Sequence, residues 1–201
     1  AAALLYQSGW NAEAAKSHSL IDPMCGSGTF AIEAALLASN QAPNLNHDFS
    51  CLHWPSLKAK DFSKAFEKCQ EMQKDVDAHI LASDLHDGAV EICQNNTNRA
   101  KVQHMIEVNK LDIHQLTCLD NEQGGLLVIN PPYGNRIGEH KVVVSLWQDI
   151  GKVIQTQFVP NDKWKCVIVC PDIECEKALN LKPQRRLHVS HGGTNAVILE
   201  V

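Results

Sequence analysis

The stretch Gly124-Gly125-Leu126-Leu127-Val128-Ile129-Asn130-Pro131-Pro132-Tyr133 constrains the fold more than any other part of the chain. Its apolar run is short and reads as a buried strand. The proline pair ends that strand, because proline has no N–H to give a ladder and fixes its own φ. An Asn side chain, a proline carbonyl and an aromatic ring are thereby set together at a strand's C-terminal edge. In an open α/β sheet that edge is where ligands bind. The Asn130 amide oxygen and the Pro131 carbonyl are both acceptors, and together they suit a planar –NH2 group. Tyr133 can stack on the flat ring carrying that amine. Taken alone, the stretch also reads as an ordinary strand followed by a proline turn.

Strands and helices alternate along the rest of the chain. Residues 1–16 read as the end of an amphipathic helix, with Leu4, Leu5 and Trp10 on its apolar side. Residues 18–21 read as a strand, and 31–38 as a helix of strong propensity. Residues 40–76 break the rhythm. They begin irregularly and then show a helix over 61–74 with Phe62, Phe66, Cys69 and Met72 on one side. An insertion of this length is a functional element or a packing flap. Strands follow at 79–84 and 106–108, separated by a helix over 87–99 with Ala89, Val90, Ile92 and Cys93 inward. After the Asn130 strand come a helix over 141–157, a strand at 166–170, and a closing hairpin of 186–189 and 196–201 around His191-Gly192-Gly193. The order implies a mostly parallel sheet with an antiparallel edge.

The chain's 201 residues suit one well-buried α/β domain. With 44% apolar and 20% charged residues, the composition is that of a globular protein. No stretch approaches the length of a membrane span. The first residue is not Met, so further sequence upstream is expected. Eight cysteines stand at irregular spacings without a C-x-x-C. Cys166, Cys170 and Cys175 come closest to a cluster, but no His pair stands beside them at zinc spacing. Free, mostly buried thiols of a reducing cytoplasm are expected, and no metal. The net charge of −5 places any grip on nucleic acid in a local patch or outside this chain.

The chemistry-bearing residues recur at strand ends. Asp22-Pro23-Met24-Cys25-Gly26-Ser27-Gly28-Thr29-Phe30 joins the first strand to its helix. The glycines let backbone approach a ligand closely, and Thr29 can help cap the helix. The loop is neither G-x-G-x-x-G nor a P-loop. An acidic residue opening it would repel a phosphate and suit a ligand with a positive charge or free donors. Asp84, closing the second strand, is placed to accept ribose hydroxyls. Asp112, after the third, could accept from an adenine amine. Each aspartate alone is more often a turn or cap residue.

In this order, the residues resemble class I S-adenosylmethionine-dependent methyltransferases of the amino group type, with their Rossmann-like α/β fold. Asp22-Pro-Met-Cys-Gly-Ser-Gly-Thr-Phe together with Ile129-Asn-Pro-Pro-Tyr-Gly-Asn-Arg136 is similar to the THUMP-associated rRNA guanine-N2 methyltransferases. Many members of that family go under the name of N6-adenine-specific DNA methylases. The resemblance spans residues 1–201, including the insertion at 40–76, and implies an RNA-binding domain upstream. It implies S-adenosyl-L-methionine as cofactor. Asp22, Gly26 and Gly28 would surround its methionine part, with Pro23, Cys25 and Thr29 of the same loop. Asp84 would hold the ribose and Asp112 the adenine. Asn130, Pro131, Pro132 and Tyr133 would form the catalytic segment, with Asn130 also bordering the cofactor. The implied substrate is RNA, most narrowly guanine N2 of large-subunit (23S) rRNA in the cytoplasm. The same acceptor pair also fits adenine N6 in DNA or a protein glutamine amide. Outside this chemistry stand a dinucleotide-dependent oxidoreductase and a catalytically inactive binding module.

Overall fold

The computed structural model describes residues 1–45, 47, 49–56, 59–119, 124–132, 140–191 and 194–201. Among the described residues, seven strands make one sheet: β1 (Ser19–Asp22), β2 (Ile80–Asp84), β3 (Ile106–Lys110), β4 (Gly125–Ile129), β5 (Trp164–Cys170), β6 (Arg185–His191) and β7 (Thr194–Glu200). Their spatial order is β3-β2-β1-β4-β5-β7-β6. The first five are parallel, and β7 runs antiparallel between β5 and β6. The expected parallel sheet with an antiparallel hairpin edge is therefore present. The chain builds outward from β1 to β3, then returns to lay β4 on the other side of β1. That reversal puts a crevice at the carboxyl ends of β1 and β4.

α1 (Ala2–Gln7), α2 (Thr29–Ala38), α4 (Asp87–Ala100), α5 (His140–Val153) and α6 (Ile173–Leu179) cover the two faces, and α3 (Ala59–Glu71) belongs to the 40–76 segment. Side chains alternate along a strand, so Leu126 and Val128 of β4 join one core with α1, α2 and α4. Leu127 and Ile129 join a second core with α5 and α6. Every residue of β4 is buried, which is why its sequence shows no polar alternation. No described helix is long and apolar enough to cross a membrane.

Several elements differ from expectation. The first helix ends at Gln7, because Gly9 takes φ +96° and turns the chain. Leu4, Leu5 and Trp10 are nonetheless buried, and the Trp10 indole donates to the Ala34 carbonyl at 2.9 Å. α5 gives way to a π-turn at Ile154–Phe158, where the Thr156 hydroxyl donates back to the Lys152 carbonyl. α6 has no counterpart among the expected elements. Its N-cap is Asp172, whose carboxylate accepts from Cys175 N–H at 2.8 Å. On α4, Cys93 is buried but Ile92 points to solvent, 53% exposed. Met72 lies one residue past the end of α3 and is exposed.

The 40–76 segment is rooted where α2 ends. Lys74 N–H donates to the Ser39 carbonyl at 2.7 Å, and the Asn40 amide donates to the Met72 carbonyl at 2.8 Å. α2 starts at the carboxyl end of β1 and runs back along the sheet, so this root lies at the opposite, amino edge. Half-buried Phe62, Phe66 and Cys69 form a seam on α3, with Phe49 against Phe66.

Candidate functional site

Asp22 is the last residue of β1, and Asn130 follows the last residue of β4. The two strands pair directly, with Ile21 opposite Leu127, so the two expected motifs open on the same crevice.

The loop from Asp22 to Gly28 is held from two sides. Cys25 N–H donates to the Ser83 carbonyl at 2.9 Å, extending the β1–β2 pairing. Gly26 N–H donates to Asp84 Oδ2 at 3.1 Å, and the Asn96 amide of α4 donates to the Ser27 carbonyl at 2.9 Å. The two glycines serve different purposes. Gly28 has φ +84°, and a Cβ there would lie 2.6 Å from Cys93 Sγ. Gly26 has φ +52° but would meet nothing within 4 Å. Internal packing therefore demands the first, while the second leaves backbone bare toward open space.

Thr29 does not cap α2. It is the first helical residue, and its hydroxyl lies 3.2 Å from that of Ser27. Gly28 stands at the N-cap with no side-chain bond, so the first N–H groups of α2 are left for a ligand.

Asp22 is 1% exposed, and neither carboxylate oxygen has a hydrogen-bond partner among the described residues. Burial pushes its acid well up, to about 8, and the neighbouring Cys93 and Asp84 add to this. The Met24 N–H acts against it, but without hydrogen-bond geometry. A carboxylate sealed away unpaired is costly, and a cationic or N–H-bearing ligand would relieve that cost. Beside it, the Cys25 and Cys93 thiols influence each other: Cys93 and burial push Cys25 up, while Cys25 lowers Cys93. All eight cysteines are free, and among the described residues no three potential metal ligands stand together.

Asp84 is already engaged. Besides Gly26, it accepts from His86 N–H through Oδ1 at 3.0 Å. Leu85, next to it, is an exposed leucine on the same edge. Leu111 N–H donates to the Asp84 carbonyl at 3.1 Å, which brings Asp112 close. Asp112 caps the 3-10 turn Ile113–Gln115 and contacts the His114 ring at 2.6 Å. Bonds from the His114 backbone N–H and ring hold Asp112 below the usual carboxylate range.

Pro23 is buried beside Asp22, as is Pro131 beside Asn130. Asn130 is exposed and Pro132 half-buried. Tyr133 and the rest of the stretch to Arg136 lie outside the described residues. The structure thus brings Asp22, the glycine loop, Asp84, Asp112 and Asn130 to one edge. The sequence reading missed Cys93 as the wall behind Gly28, Asn96 as the loop's tie, Leu85, and His114. Of these, His114 had a local signal, an Asp two residues before it. A cleft of about 490 Å³ at the amino ends of β2 and β3 includes His79 and His104 in its lining. It contains none of the unpaired buried polar atoms and gathers no motif residue.

Comparison with known proteins points the same way. A family model described as RMKL-like, methyltransferase domain, matches residues 1–199. Ribosomal RNA large subunit methyltransferase K/L of Legionella pneumophila (strain Philadelphia 1) is 32% identical over 193 residues, which is 96% of this chain and 27% of that protein. The protein of the same name from Shewanella baltica is 32% identical over 197 residues, at the same two coverages. The crystal structure of SMU.472 complexed with SAH aligns with a TM-score of 0.87 at 26% identity, covering 99% of this chain and 50% of that one. The chain thus spans about a quarter of the length of these curated relatives and half that of SMU.472.

Proposed function

The chain belongs to the family of RMKL-like methyltransferase domains, and from that premise we propose that it transfers a methyl group from S-adenosylmethionine to the exocyclic amine of a base in RNA. The observation that carries the reading is Asp22, buried and unpaired at the mouth of a glycine loop whose helix has no cap. That donor set fits an amino acid carrying an ammonium and a carboxylate. Asp22 would take the ammonium, and the free N–H groups of α2 the carboxylate. Asp84 would accept from the ribose, Asp112 from the adenine amine, and Leu85 would give the ring an apolar support.

S-adenosylmethionine, when bound, supplies a methyl group on a positively charged sulfur. On the substrate side, an exocyclic amine is a poor nucleophile, because its lone pair is delocalised into the ring. The Asn130 side-chain oxygen and the Pro131 carbonyl would accept its two N–H bonds, favour a more pyramidal nitrogen and aim it at the methyl. Tyr133 would stack on the base. Catalysis would rest on positioning and electrostatics, with no side-chain nucleophile and no metal. A base inside a duplex cannot reach this edge, so the target is unpaired or flipped out. The names of the Legionella and Shewanella relatives favour large-subunit rRNA, hence a cytoplasmic substrate, and the resemblance favours guanine N2. With a net charge of −5, most of the grip on RNA would come from sequence outside this chain.

The test has two steps. Calorimetry should show binding of S-adenosylmethionine or S-adenosylhomocysteine and none of NAD; the reverse would refute the reading. The full-length parent should then methylate deproteinised large-subunit rRNA on guanine, identified by nucleoside mass spectrometry. Methylated adenine instead would move the substrate assignment and leave the chemistry standing.

A further inference from the structure

We propose that His114 is a positioning residue for adenine recognition: it holds one oxygen of Asp112 and ties that carboxylate to Asp149 of α5, leaving the other oxygen for the ligand's amine. This rests on the cofactor reading above, in which Asp112 meets the adenine.

The geometry is specific to one oxygen. Asp112 Oδ1 accepts from the His114 backbone N–H at 2.9 Å and lies 2.6 Å from the ring Nδ1. Asp112 Oδ2 has no partner among the described residues. The opposite ring nitrogen, Nε2, lies 3.2 Å from Asp149 Oδ2. A neutral imidazole has one N–H and one bare nitrogen, so it can donate to only one of two carboxylates. With a carboxylate at each nitrogen, only the imidazolium satisfies both. The titratable groups facing the ring are Asp112 on its own turn and Asp149 on α5, both acidic, and they raise its pKa above the ordinary histidine value, Asp112 foremost. The charged ring fixes the Asp112 rotamer; the neutral ring can hold only one of its two neighbours. α5 is also the helix that follows the Asn130 segment, so the clamp joins the adenine end of the site to the element behind the acceptor edge.

The inference is about selectivity, so the readout is a ratio. Affinities for S-adenosylhomocysteine and for its deaminated analogue S-inosylhomocysteine are measured by calorimetry between pH 6 and 9. The analogue replaces the amine with a carbonyl and keeps the methionine end. Titration of Asp22 or loosening of the glycine loop therefore affects both ligands alike and cancels. The protein should prefer S-adenosylhomocysteine at low pH, and the preference should shrink as pH rises through the His114 titration. His114→Ala should lower the preference about five- to tenfold at pH 6.5, the worth of one oriented hydrogen bond, and flatten its pH dependence. His114→Arg, a permanent cation with two donor edges, should keep the preference and lose the pH dependence. An equal preference in the protein and in His114→Ala at every pH would overturn the inference while the cofactor reading stands. If neither ligand binds the unsubstituted protein, the cofactor reading fails and takes the inference with it.

Discussion

β1 and β4 are neighbours in the sheet and open on one crevice, yet they end in opposite ways. β1 ends in Asp22, sealed from solvent and without a partner for either oxygen among the described residues. β4 ends before Asn130, an uncharged amide left exposed by two prolines that cannot continue the ladder. A buried unpaired acid, which burial keeps largely protonated until a partner arrives, is a deficit that a ligand can fill, and suits capture of a cation. An exposed amide costs the fold little and can be held ready for a group that arrives late. On the proposed function, the contrast separates a binding side from a reacting side, and substitutions should respect the boundary.

The largest effect expected is on the β1 side and concerns stability. Asp22 titrates near 4 when unfolded and at about 8 when folded, because burial disfavours its charge. Between those values the folded state binds more protons than the unfolded one, so stability falls as pH rises through the window. Below about 4 the penalty is absent, and above about 8 it is complete, on the order of several kcal/mol. Asp22→Asn removes the titration. Its melting temperature should decline much less from pH 5 to 8.5 than that of the unsubstituted protein. Part of the gain is lost, because the Asn amide is also buried unpaired. The variant should bind cofactor more weakly at pH 8.5 while being more stable there. Parallel pH profiles for the two proteins would show instead that Asp22 finds a partner in solution.

The next effect is on the β4 side. Asn130→Ala should cut methyl transfer about a hundredfold or more, as when a preorganised hydrogen-bonding group is removed at a reacting centre. Cofactor affinity and melting temperature should hardly change. Single-turnover rates and calorimetry on the full-length parent measure both. Should affinity fall along with rate, the boundary between the two strand ends dissolves and Asn130 shapes the whole crevice.

A smaller effect tests what supports the β1 loop. In Gly28→Ala the new methyl meets Cys93 Sγ, and the backbone must hold φ +84° with a side chain. The strain should cost roughly 1–3 kcal/mol and weaken cofactor binding. Adding Cys93→Ala removes the sulfur, leaving the Cβ contact at an ordinary 3.5 Å. The pair should recover part of the loss, with a coupling of about 0.5 kcal/mol or more by double-mutant cycle. Strict additivity would mean that the cysteine does not wall the loop.

What the sequence made legible follows from the range of the interactions. β4 and its proline stop were readable because burial on both faces leaves an unbroken apolar run. The row of carboxylates was readable because a parallel sheet returns each strand end to the same edge. The closing hairpin was readable from its turn residues. α6 escaped notice because seven residues carry little periodicity, and its capping Asp172 after Pro171 reads as a turn. The outward Ile92 escaped because inward and outward positions on α4 cannot be separated by composition alone. The partners of the glycine loop were unreadable for a different reason. Asn96 and Ser27 are 69 residues apart, and only the packing of α4 beside the loop joins them. Thr29 misled because its side chain suits an N-cap, whereas the backbone needs glycine's positive φ one residue earlier.

The smallest effect asks whether the acidic character of the β1 side comes from Asp22 or from surface charge around it. Lys110 closes β3 and pairs with Asp87 at the start of α4, at 2.8 Å, with both side chains largely exposed. Such a pair contributes little, so Lys110→Ala should change stability by less than about 0.5 kcal/mol. It also removes a positive charge from the edge that would receive a cationic sulfur. S-adenosylmethionine carries that charge and S-adenosylhomocysteine does not, so their affinity ratio should shift toward the former. At about 0.15 M salt the Debye length is about 8 Å, and the shift should stay below roughly twofold. Lowering the salt should enlarge it, whereas an effect of Asp22→Asn on binding should persist at high salt, since a sealed carboxylate is screened far less. A Lys110 effect as large as that of Asp22, and equally resistant to salt, would assign the cation preference to the rim of the crevice and remove the reason for keeping an unpaired acid in its floor.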